Sequence, residues 1–322
     1  MKNIFLLLVC VCLLCLKINA QTSDARISIN ALVADENIPE EAVRYLENKL
    51  KRTLTINGIT DNGYAERFVL TAKVDIISKD IVPTTPARIS QKIELTLIVG
   101  DIVENKLYES HSLSLAGIGT NETKALVTAF QKFNPQNKEI QSMLTKAKEK
   151  IITYYTNNCD AIIQQANTLA DMDKMDEAIF RLISVPNVCS DCYQRCQKQA
   201  SLIYIRKINS EGVVLLQKAK TEWMKQPNTS GANIVSEIIM QINPKANNYN
   251  EVVKFRKEIE SKLQADAKRE WDFQMKKYED SQAFKRSIVD ACKAIGVAFG
   301  NDQPKSVTKT IIRGWCGKII IN

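Results

Sequence analysis

Residues 159–196, CDAIIQQANTLADMDKMDEAIFRLISVPNVCSDCYQRC, decide how this chain is read. They fall between a half with period-two alternation and a half with helical spacing only. Ile162, Ala166 and Leu169 predict one helix, Ala178, Leu182 and Val185 predict a second, and Pro186 ends the pair. A later stretch repeats this plan. Gln217-Lys218-Ala219-Lys220 echoes Gln165-Ala166-Asn167, Ala232 follows as Ala178 does, and Ile242-Asn243-Pro244 echoes Ser184-Val185-Pro186. Each block then runs into a helix carrying Tyr193 or Tyr249.

The small residues at Ala166 and Ala178 and the closing Pro186 resemble a degenerate tetratricopeptide unit. Two blocks with matching prolines favour a divergent repeat over an ordinary helical bundle. The resemblance implies stacked helix pairs with a concave face that holds peptides.

Upstream, one-sided alternation marks four strands. Ile27, Ile29, Ala31 and Val33 form the first row, and Phe68, Leu70, Ala72, Val74 and Ile76 the second, with Arg67, Lys73 and Asp75 on the wet side. Ile93, Leu95, Leu97 and Val99 form the third, and Leu107, Leu113 and Leu115 the fourth. Such rows predict an antiparallel sheet with one buried face. Asn37 and Pro39 open a helix between the first two strands; Val43, Leu46, Leu50 and Leu54 line it, and Asn57-Gly58 and Asn62-Gly63 end it and turn the chain. Thr120 is placed to cap another helix near Asn121. The fold class is therefore α+β: a β-α-β-β-β-α domain, an all-α helical-repeat domain and a long C-terminal helix.

The first strand ending at Asp35, the long hairpin strands and Gly117-x-Gly119-Thr-x-Glu-x-Lys-Ala125 resemble the periplasmic α/β domain of the CsgG, LpoB and TolB N-terminal group. That resemblance implies an exported, envelope-facing, non-catalytic domain. SVPNVCSDCYQRC and AIGVAFGNDQP also resemble a family of exported bacterial proteins, a likeness that carries no activity with it.

Export is expected on other grounds too. Lys2, the apolar run Ile4–Leu16 and Ala20 before Gln21 read as a signal peptide over residues 1–20. The thirteen residues of that run span only about 20 Å of helix, short of a bilayer core of roughly 30 Å. Cleavage takes the net charge from +8 to +6 by removing Lys2 and Lys17. Residues 21–157 carry 17 basic and 17 acidic side chains, whereas residues 251–322 carry 15 and 10. Lysine and glutamate alternate along that basic tail, as on a solvated helix face.

Of nine cysteines three lie in the signal, leaving Cys159, Cys189, Cys192, Cys196, Cys292 and Cys316 as disulfide candidates. Cys189, Cys192 and Cys196 share one helical stripe, and a helix start at Cys189 would favour its thiolate. Cys159 begins the first helix of the pair. A bridge from it to Cys189 or Cys192 would close a loop of about thirty residues, because first and third helices of stacked pairs are parallel neighbours. A Cys189–Cys192 bridge would suit thiol–disulfide exchange instead, and a thiolate cluster with Cys159 could bind metal, though export favours oxidation. The single histidine, His111, reads as a strand residue, its neighbours Ser110 and Ser112 facing the opposite way. Gly117-x-Gly119 lacks the Lys-Ser/Thr of a phosphate loop. No catalytic residue, metal or cofactor is expected.

The expected organisation is a signal peptide over 1–20, an α+β domain over 21–135, a helical-repeat domain over 136–250, and a long amphipathic helix with an extended tail over 251–322. Phe255, Ile259, Leu263, Trp271 and Met275 form a core stripe, with a break near Asp280, and Thr310–Ile312 and Lys318–Ile321 read as extended. The leading function is a non-enzymatic envelope scaffold, periplasmic or outer-membrane associated, whose partner is another envelope protein. Neither nucleic acid nor a transmembrane segment after signal cleavage is expected; peripheral membrane association is compatible with the basic tail. The alternatives are a thiol–disulfide oxidoreductase using Cys189 and Cys192, and a binder of anionic polymer or lipid through the basic segment.

Overall fold

The computed structural model describes residues 27–35, 37–59, 67–303 and 305–319. The signal-peptide reading, the Asn62-Gly63 turn and Pro304 lie outside them. Four strands, β1 (Asn30–Ala31), β2 (Phe68–Val82), β3 (Arg88–Asp101) and β4 (Lys106–Gly119), form one sheet in chain order. Helix α1 (Glu40–Ile56) crosses between β1 and β2, and α2 (Glu122–Gln131) and α3 (Lys138–Asn157) follow β4. The α+β class and its element order are as expected from the alternating rows. The sheet is mixed, however, since β1 pairs parallel to β2 at Asn30↔Val69 and Ala31↔Leu70. A helical crossover returns the chain in the same direction, whereas the tight β2–β3 and β3–β4 turns reverse it.

The second and third apolar rows face Ala42, Leu46 and Leu50 of α1 and Leu126, Ala129 and Phe130 of α2 in one core. Ile76 leaves that row, at 51 % exposure, although Ile93 opposite it is buried; β2 is an edge strand there, since β1 pairs with it only at Val69 and Leu70. A bulge between Val99 and Gly100 skips Tyr108 and shifts β4 by one residue. Leu113 and Leu115 therefore pack on this core while Leu107 turns to the other face. Helix α2 lies against the β4 backbone, and a Cβ at Gly117 or Gly119 would strike the main chain of Ala125. The Gly-x-Gly pair thus permits close helix approach. Asn121, rather than Thr120, caps α2 by accepting from Lys124 N at 2.8 Å.

The remaining helices are α4 (Cys159–Asp171), α5 (Met175–Ile183), α6 (Ser190–Lys225), α7 (Thr229–Ile239), α8 (Tyr249–Lys262), α9 (Ala265–Glu279), α10 (Gln282–Lys285), α11 (Ile288–Asp302) and α12 (Lys305–Ile319). Two helix pairs occupy the two sequence blocks, and α6 serves both. Its 36 residues span about 54 Å. Ala166 with Ala178, and Ala219 with Ala232, are buried where each pair closes. The first core continues without a break from the sheet through Ile140, Leu144 and Ile151 of α3 into α4, α5 and the start of α6. A second core gathers Leu216 and Trp223 of α6 with Val235, Phe255, Ile259 and Trp271. Phe255 and Trp271 are core residues, as their spacing predicts.

The C-terminal region departs from expectation in two ways. The long helix is divided, its backbone turning extended at Leu263 and Arg286 as well as breaking at Asp280. The tail is also helical through Ile319. β-branched Thr310, Ile311 and Ile312 favour a strand, but Ile312 and Trp315 fall on one helix face and bury there. That face packs on Ala34, Val69 and Ile98, the side of the sheet expected to be wet. A Cβ on Gly100 would meet Trp315 Cη2 at 2.6 Å. Tertiary burial overrides local propensity at this point. No described helix is long and apolar enough to cross a membrane.

Candidate functional site

Helices α4 and α6 run side by side in the same direction. Asp160 pairs with Arg195, Asn167 with Gln199 and Asp171 with Arg206, a ladder of nearly constant offset. Their N-terminal ends meet, and Cys159 is bonded there to Cys192 across a sequence separation of 33, with Cα atoms 5.6 Å apart. Cys196, fully buried one turn on, brings its Sγ within 3.8 Å of Cys192 Sγ. The sulfurs of Cys159, Cys192 and Cys196 all lie within 4.8 Å of one another.

Cys189 stands apart. It is the N-cap residue of α6, and its Sγ approaches Ile152 O at 3.9 Å. The helix start alone would favour the Cys189 thiolate. Burial acts the other way and pushes Cys189 up to about 11. Burial likewise pushes Cys196, Cys292 and Cys316 up to about 11. Cys292, on α11, sits against Ala200 O at 3.5 Å, and Cys316 is half-buried on α12. The alternative exchange dithiol, Cys189 with Cys192, is not paired, because Cys192 is bonded to Cys159.

A charged cluster lies at the base of the sheet around Arg67, a residue whose spacing predicts the wet face. Arg67, just before β2, is buried, and its Nε donates to Asp101 Oδ2 at 2.7 Å. Its Nη1 donates to Ser184 Oγ at 2.8 Å and its Nη2 to Glu104 Oε1 at 3.0 Å. Tyr155 OH donates to Asp101 Oδ2 at 2.8 Å, and Arg181 Nη1 to Glu104 Oε1 at 2.9 Å. Burial opposes the Arg67 charge, but Asp101, Tyr155 and Glu104 outweigh it and hold the guanidinium above its ordinary pKa. Burial also raises Tyr155 well above a free phenol. Two cations and two carboxylates balance here, tying the sheet to α3 and α5. No sequence spacing announces the cluster, because its members lie up to 117 residues apart.

A groove of about 810 Å³ opens between the two helix pairs, lined by the start of α5, the middle of α6, Gln241 and Phe299. Lys207 bridges Asp176 at 3.0 Å and Glu211 at 2.9 Å on its wall. Val214 stands 65 % exposed beside them.

His111 Nε2 lies 3.3 Å from Glu139 Oε2, and Ser112 Oγ pairs with Thr96 Oγ1 at 2.8 Å. The histidine and its neighbouring serine thus have separate partners. In the basic C-terminal region Arg256 pairs with Glu279, Lys262 with Glu258, Lys268 with Glu260 and Lys285 with Asp280. No family model matches this chain, and no curated protein or solved structure is detectably similar to it.

Proposed function

We propose that this chain is a non-enzymatic exported scaffold that holds a segment of another envelope protein in the groove between its helix pairs. The observation that carries this reading is the groove itself, an open trough whose wall mixes exposed apolar surface with charge. Val214 supplies the exposed apolar surface, with half-buried Leu215 and Phe299 beside it. Asp173, Asp176, Glu177 and Glu211 outnumber Lys174 and Lys207 along it by four to two, so a basic amphipathic segment suits it. The surroundings of Cys189 favour a binding role over catalysis, since burial holds its thiol protonated and a backbone carbonyl is its partner.

The test is capture from envelope extract by the tagged full chain, compared with Val214→Arg and Ile118→Arg. Both positions are exposed, so neither substitution should alter the fold. A partner held by the wild type and by Ile118→Arg but lost with Val214→Arg supports the groove. Equal capture by all three contradicts it.

A further inference from the structure

A disulfide needs two sulfurs, yet three converge where α4 and α6 begin. Cys196 is fully buried, and its Sγ lies 3.8 Å from Cys192 Sγ. A trigonal metal centre with metal–sulfur bonds of about 2.3 Å sets its sulfurs about 4 Å apart. The Cys192–Cys196 spacing already meets that value, and Cys159, bonded to Cys192, lies within 4.8 Å of Cys196, so only the Cys159–Cys192 pair must part on reduction. Among the described residues no fourth cysteine, histidine or carboxylate joins the group, Cys189 included.

The surroundings suit thiolates. Cys159 is the first residue of α4 and Cys192 lies in the first turn of α6, so two positive helix ends face the sulfurs. The guanidinium groups of Arg195 and Arg67 also act on Cys196.

We infer that, once the Cys159–Cys192 bond is reduced, Cys159, Cys192 and Cys196 form a three-thiolate site for one soft monovalent cation, copper(I). Soft thiolate sites select copper(I) among others, and zinc(II) asks for a fourth ligand that this group lacks. A dithiol reductant supplies two electrons and two protons, ending as its own disulfide and leaving Cys159 and Cys192 as thiols. On metal uptake three S–H protons pass to solvent and three S–Cu bonds form, with copper unchanged in oxidation state.

The test uses the full chain, reduced with dithiothreitol, desalted without air and titrated with the copper(I)–acetonitrile complex against a chromophoric copper(I) chelator. The reduced chain should keep its helical dichroism and withhold one equivalent. X-ray absorption on that sample should count three sulfurs around copper. Cys196→Ser should lose the one-equivalent step while keeping its oxidised melting point, and Cys189→Ser should retain the step. Four results would each overturn the proposal: no copper withheld, an unchanged step in Cys196→Ser, preferential retention of zinc(II), or collapse of the helical signal on reduction.

Discussion

Arg67 and Asp101 meet at 2.7 Å across the base of the β2–β3 hairpin, with neither side chain reaching solvent. Through Tyr155, Ser184 and Glu104 the pair extends to α3 and α5, so it joins the sheet to the first helix pair. Removing one partner of a buried pair strands the other charge. Asp101→Ala is expected to cost about 3–5 kcal/mol in denaturant unfolding. The double variant Arg67→Met, Asp101→Leu should recover much of that loss, since apolar replacement of both charges removes the stranded one. Additive losses would show that the pair does not act as a unit.

Trp315 fills a notch that exists because residue 100 is glycine. Its indole Nε1 also donates to Asn105 Oδ1 at 2.8 Å. Trp315→Ala is expected to destabilise by about 3–5 kcal/mol. Gly100→Val should displace the same ring and red-shift tryptophan emission. Phe273→Ala, at a position 63 % exposed, should leave the unfolding midpoint in place.

The Cys159–Cys192 bond closes a loop of 33 residues, which the chain-entropy model values at roughly 3–4 kcal/mol. Cys159→Ser and Cys192→Ser should both lose that stability, and Cys189→Ser should not. Non-reducing peptide mapping should recover the Cys159 and Cys192 peptides linked. A linked Cys189–Cys192 peptide would reinstate the exchange chemistry.

Alkaline pH should weaken the fold. Burial raises Cys189, Cys196, Cys292 and Cys316 to about 11, above the value of a solvated thiol. The folded state thus holds these protons more tightly than the unfolded one. The resulting stability is fully present below about pH 8.5 and is lost as pH rises through 11. Unfolding midpoints should fall across that window, and alkylation of the native chain should quicken in parallel. A flat profile would mean that these thiols are solvated.

Much of this architecture is legible in residue spacing. Leu95 and Leu97 alternate because their face of the sheet lies in the core with α1 and α2, and Ala166 and Ala178 mark a tight helix pair. The convergence of Cys159 with Cys192 follows from parallel first and third helices. Features set by long-range packing are not legible. Arg67 looks like a wet-face residue until Asp101, Tyr155 and Ser184 arrive from other elements. The bulge at Tyr108 reverses Leu107 without any break in the alternation. Ile311 and Ile312 read as a strand until the back of the sheet offers them a surface. Cys196, rather than Cys189, joins the sulfur cluster because α6 carries its sulfur inward one turn beyond Cys192.

The groove between the helix pairs is tested most directly by a photo-crosslinking amino acid placed at position 214 of the full chain in its own cells. Placement at position 118, on β4 and away from the groove lining, is the reference. The expected result is one dominant adduct from position 214, through a basic segment of another envelope protein, and none of that adduct from position 118. No adduct from position 214, or the same adduct from both positions, would contradict a scaffold that binds through this groove.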